Sequence, residues 1–167
     1  MTSPPVRKAL VTVHVATSVG WLGAVVAYVV LDVTTLLSAD TDLVRSSYAA
    51  MDLVARNAIA PLAVASALIG TVTALGTPWG LLRHYWVLAK LAITLVATGV
   101  LLLELETIDR LALAARTAAA PRDLPSTLPH SVGGLVVLLI ALLLSTYKPR
   151  GVTRYGWRRQ QAQRAFR

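Results

Sequence analysis

Positions free of Asp, Glu, Lys and Arg gather into four long apolar stretches along the chain. Ala9 to Leu31 is broken only by His14, and Asn57 to Leu82 is uninterrupted. Tyr85 to Leu103 holds one charge, Lys90, and Leu124 to Tyr147 opens with Pro125 and Pro129. Crossing a ~30 Å hydrocarbon core takes about 20 mostly apolar residues in a helix. Lipid cannot hydrogen-bond an open backbone, and the two-residue alternation of barrel strands is absent, so helices are the economical form. The pattern predicts an all-α membrane protein, an antiparallel four-helix bundle. Its spans cover about 9–31, 57–76, 85–104 and 130–147, in one domain through residue 147, followed by a tail over 148–167.

Details at the ends refine this pattern. Arg7 and Lys8 precede the first stretch as they would a signal peptide, but its length, His14, Trp21 and the lack of a polar cleavage region fit an uncleaved span. Leu43, Val44, Ser47, Met51 and Val54 recur at helical spacing, so the second helix is expected to begin before its lipid-buried part. Ile108, Leu111 and Ala115 extend the third in the same way until Pro121 stops it. The GTPWG segment, Gly76 to Gly80, reads as a tight turn, with Trp79, Tyr85 and Trp86 at headgroup depth.

Composition then removes whole classes of function. Of the 167 residues, 56% are hydrophobic and 14% charged, against roughly 25% charged in soluble domains. Without cysteine there are no disulfides, thiolate metal sites or cysteine nucleophiles. The net charge of +8 and pI near 10.6 would ordinarily point to nucleic acid. Their distribution points to topology instead. All eight acids fall in the segments after the first and third spans: Asp32, Asp40, Asp42 and Asp52, then Glu104, Glu106, Asp109 and Asp123. The other side carries Arg7, Lys8, Arg83, Lys148, Arg150, Arg154, Arg158, Arg159, Arg164 and Arg167, and no acid. The positive-inside rule puts both termini in the cytoplasm of a multi-pass plasma-membrane protein. The tail, with Tyr155, Trp157 and Phe166 among its cations, is suited to anionic lipid. The expected partners are therefore the bilayer, its anionic lipids, and a second copy or a larger membrane complex, not nucleic acid.

Ionisable residues within spans are costly and mark candidate sites. His14, Ser18, Trp21, Val25, Tyr28 and Asp32 share one face of the first helix, and Arg83, Lys90, Thr94, Ala97, Leu101 and Glu104 share one face of the third. Ala60, Ala63, Ser66, Gly70 and Thr73 form a small-residue seam on the second, and the fourth adds His130, Gly134, Val137 and Ala141. His14 lies six residues past Lys8 and Lys90 seven past Arg83, so each sits roughly 9–10 Å beyond its flanking charge. That depth match predicts an inner site of His14, Lys90, Arg83 and His84, an imidazole with cations. Such a set suits the iron and carboxylates of haem or a porphyrin. The bland alternative pairs His14 with a neighbouring carbonyl and lets Lys90 snorkel to the headgroups. At the opposite side His130, Glu104 and Glu106 offer a hard-ligand metal site. Cu(I) is disfavoured, because the only sulfur ligands are Met1 and Met51. No Gly-rich phosphate loop, HExxH or Gly-x-Ser-x-Gly motif occurs.

Two segments carry a family resemblance. HVATSVGWLGAV, His14 to Val25, and WVLAKL, Trp86 to Leu91, resemble elements of a superfamily of small polytopic membrane proteins. That group includes HemJ-type protoporphyrinogen oxidases, CopD-type copper-resistance proteins and uncharacterised four-helix families. The tail YKPRGVTRYGWRRQ resembles that of actinobacterial members. The HemJ resemblance implies porphyrin or haem binding by His14, Arg83 and Lys90, and a redox role. No HemJ-like element is found in the fourth helix or the acidic loops. The alternatives are a non-enzymatic accessory or scaffold subunit, or handling and transport of a metal or small ion.

Overall fold

Pro4 and Pro5 open the first helix, α1 (Pro4–Leu37), at positions where a missing N–H costs no hydrogen bond. In this computed structural model, which describes residues 3–76, 81–149 and 151–165, α1 runs unbroken for 34 residues, about 50 Å. Asp40 then caps α2 (Thr41–Val54), its carboxylate accepting from the backbone N–H groups of Asp42 and Leu43. A π-helical turn, Ala55–Ile59, joins α2 directly to α3 (Ala60–Gly76). Its wider turn has a packing consequence. Met51, Ala55, Ile59 and Ala63 are all buried, yet a spacing of four drifts about 40° per step around a 3.6-residue helix. The π turn absorbs part of that drift and keeps the four on one face.

The second half repeats the long-helix plan. α4 spans Tyr85–Thr117, a 3-10 turn follows at Pro121–Asp123, and α5 covers Leu128–Tyr147 with Pro129 in its first turn. α5 ends at Lys148, which adopts a left-handed conformation (φ 44°). α6 (Arg154–Ala165) then forms from the basic tail. Among the described residues, pairing of strand type is confined to one antiparallel bridge, His84 with Val152.

Four helices are long and apolar enough to cross a membrane: α1, the α2–α3 rod, α4 and α5. They pack as a ring in which α1 touches α3 and α5, and α4 touches the same two. α2 covers one end, between α1 and α4. The core lies toward that end, where Trp21, Val25 and Tyr28 meet Val44, Tyr48 and Met51. The outward faces are apolar too: Val30, Leu68, Val96 and Leu103 are all more than half exposed. Water-soluble monomers rarely present continuous apolar surface of this extent. Lipid is the solvent that accounts for it.

Most of the acids lie in helices. Asp32, Asp42, Asp52, Glu104, Glu106 and Asp109 do so because α1 continues to Leu37 and because the expected extensions form, α2 over Thr41–Val54 and α4 to Thr117. The fourth helix begins at Leu128, two residues ahead of the expected His130, since proline is tolerated in a first turn. The GTPWG turn at 77–80 with Trp79, together with Arg150, Phe166 and Arg167, lies outside the described residues, as do the side chains of Arg159 and Arg164.

Candidate functional site: a cationic cavity at one end of the bundle

α1 and α3 are drawn close by their small residues. The Ser18 and Ser66 hydroxyls hydrogen-bond at 2.8 Å, and one turn further along α3 Gly70 lies against His14. A Cβ at Gly70 would stand 2.7 Å from His14 Cε1, so glycine is what seats the imidazole. From α4, Lys90 reaches across the ring. Its Nζ lies 3.5 Å from His14 Nε2 and donates to Ser145 Oγ of α5 at 2.5 Å. With the ammonium as donor, Nε2 is the acceptor, which places the imidazole proton on Nδ1. Nδ1 is buried and has no hydrogen-bond partner among the described residues.

His14, Ser66, Gly70, Lys90 and Ser145 line an open cavity of about 500 Å³ bordered by all four long helices. Arg7, Lys90 and Lys148 supply its cations, and no carboxylate lines it. Val11, Val15 and Leu91 make its apolar wall, and Thr73 and Thr94 add hydroxyls. Thr73 Oγ1 is buried without a partner. The arrangement can hold an anionic head against the cations and an apolar body against the wall.

Of the residues singled out for this site, the structure brings His14 and Lys90 together and places Arg83 and His84 outside the cavity lining. Those two precede α4 and hold the tail. Thr153 donates its N–H to the Arg83 carbonyl at 2.9 Å, and Tyr85 donates to the Gly151 carbonyl at 3.3 Å. Gly156 presses so closely that a Cβ there would stand 2.5 Å from the Arg83 carbonyl oxygen. The tail is therefore docked on the α4 start rather than trailing from α5. Sequence reasoning had assigned Arg7 and Lys148 only to the flanks; both line the cavity.

The other end of the ring is built differently. An apolar cavity of about 520 Å³ opens between α1, α4 and α5, with Tyr28, Glu104, Thr127, His130 and Ser131 at its polar margin. His130 Nε2 lies 3.6 Å from Glu104 Oε1, whereas Glu106 pairs with Arg110. Among the described residues no group of three or more His, Cys, Asp or Glu is placed to hold a metal. Behind the margin lies Asp32, 1% exposed. Its Oδ2 accepts from Thr127 Oγ1 and Ser131 Oγ, both at 2.8 Å. The residue was visible in the sequence as a continuation of the Trp21–Val25–Tyr28 face, one turn beyond Tyr28; its burial was not.

No family model, curated protein or solved structure matches this chain.

Proposed function

We propose that the protein is a multi-pass plasma-membrane protein of four antiparallel spans with both termini cytoplasmic, and that its cationic cavity binds a carboxylate-bearing tetrapyrrole, a porphyrin or haem, in a redox role. The alternation of spans is supported by the contacts themselves, since the starts of α1 and α4 meet the ends of α3 and α5 around Lys90. The cytoplasmic assignment of that end rests on the positive-inside bias of its charges.

The observation that carries the binding reading is Lys90, an ammonium inside a span, facing a four-helix cavity shared with two more cations and no carboxylate. A cation within a span is costly, and an anionic ligand offsets that cost. The donor set fits such a group: cations for its carboxylates, an apolar wall for its macrocycle, and the residues His14, Thr73 and Thr94 on the lining. The Lys90 ammonium stands beside the Nε2 lone pair, so carboxylate binding needs no rearrangement, whereas iron ligation by His14 requires Lys90 to turn toward the ligand. When bound, the tetrapyrrole supplies the redox chemistry; the chain orients it and excludes water. The resemblance of His14–Val25 and Trp86–Leu91 to HemJ-type proteins agrees with this ligand class.

The test is an absorption and fluorescence titration of the purified protein with haemin and with protoporphyrin. Saturable binding with a shifted Soret band is expected. Absence of binding to either, in protein that remains folded, overturns the reading and leaves an accessory or scaffold role. Displacement by an anionic phospholipid at equal concentration assigns the cavity to a lipid headgroup instead and also overturns it.

A further inference from the structure

We infer that the buried end of the bundle around Asp32 is a binding site for a monovalent alkali cation. The hydroxyl protons of Ser131, Thr127, Tyr28 and Thr35 all have acceptors. Ser131 and Thr127 donate to Asp32 Oδ2, so Tyr28, whose hydroxyl lies 3.1 Å from Thr127 Oγ1, is left to donate to Thr127. Thr35 donates to the Asp32 carbonyl at 2.7 Å. All these protons point away from Asp32 Oδ1, which is buried and accepts no hydrogen bond. No Lys or Arg is hydrogen-bonded or ion-paired to this carboxylate among the described residues. The nearest titratable groups on the surrounding elements are Tyr28 on α1, Tyr48 on α2, Glu104 on α4 and His130 on α5.

A buried carboxylate needs a compensating charge, and the chemistry of this one defines it. The polar groups of the network are all oxygen: one carboxylate and the hydroxyls of Tyr28, Thr127 and Ser131. Oxygen sets select hard cations over the transition metals. A single acid balances one positive charge, and the described residues hold no group of three or more His, Cys, Asp or Glu for a divalent or transition ion. Access is provided by the adjoining cavity, because Tyr28, Thr127 and Ser131 belong both to the Asp32 network and to the cavity wall. Glu104 stands at that margin, at 27% side-chain exposure, and attracts cations toward the opening.

The full-length protein in detergent is unfolded thermally in NaCl, KCl or N-methylglucamine chloride at one ionic strength. Na⁺ or K⁺ is expected to raise the midpoint by roughly 5 °C at saturation, with the better of the two identifying the ion. Asp32→Asn, which keeps the shape and removes the charge, should abolish the difference between salts. Should that variant not fold, Ser131→Ala serves in its place and should raise the cation concentration at half-effect about tenfold. Identical unfolding in all three salts overturns the inference, as does a cation shift that survives in Asp32→Asn. Stability that depends on pH but not on the cation present also overturns it, because the carboxyl is then neutralised by a proton.

Discussion

The two ends of the ring solve the same problem with opposite means. At one end His14, Lys90, Arg7 and Lys148 surround an open cavity, with positive charge carried on long side chains that have room to move. At the other, Asp32 is buried against the short side chains of Thr127, Ser131 and Thr35, and its carboxylate is held by two hydrogen bonds to one oxygen. Long cations around a space are adapted to receiving a sizeable anion; short hydroxyls around one carboxylate are adapted to a small cation. The contrast also separates function from stability. Polar groups that border a cavity are replaceable at little structural cost, whereas groups that are fully packed are not.

The largest expected effect follows from that separation. Asp32→Ala leaves the buried Thr127 hydroxyl without its acceptor and Ser131 with only the Leu128 carbonyl at 3.2 Å, at a cost of roughly 1–3 kcal/mol. Denaturant unfolding in detergent should show it, and a cost below that of an ordinary surface change would mean the network contributes nothing. Lys90→Met sits at the opposite pole. It removes the charge but keeps the length, so tetrapyrrole binding should weaken at least tenfold, about 1.4 kcal/mol, while unfolding changes less than for Asp32→Ala. Comparable losses of stability in the two variants would erase the distinction between the ends.

Gly156→Ala sharpens the comparison at the cationic end by asking whether the docked tail supports it. The added Cβ meets the Arg83 carbonyl oxygen, and overpacking of this kind costs about 2 kcal/mol. Limited proteolysis around 149–153 should accelerate while cavity binding persists. Unchanged cleavage would mean the tail is not held through this contact. The smallest effect is expected for Arg110→Ala, whose pairing with Glu106 is solvent-exposed on both partners. Its unfolding curve should overlay that of the parent protein.

How much of this was readable beforehand depended on whether partners were near in sequence. The four spans follow from local apolar runs, and the α2 and α4 extensions from local spacing. The meeting of His14 and Lys90 was legible because both depths are set by helix rise from a flanking charge, and the structure places the two 3.5 Å apart. Asp32 was legible as the end of the Trp21–Val25–Tyr28 face, but its burial was not, because the residues that bury it come from elsewhere: Thr127 and Ser131, 95 and 99 positions along the chain. The tail's docking was hidden for the same reason, since Gly156 reads as an ordinary residue until the Arg83 carbonyl is placed beside it. Glu106 shares a sequence neighbourhood with Glu104, but on a helix two residues apart face different directions, and it turns to Arg110 instead.

The central claim is that the anion-binding end is the one built on Lys90. Its most direct test is a parallel protoporphyrin titration of three proteins: the parent, Lys90→Met and Asp32→Asn. The account predicts that Lys90→Met loses binding at least tenfold while Asp32→Asn binds as the parent does. Equal affinity in the parent and Lys90→Met, with binding lost in Asp32→Asn, would contradict it.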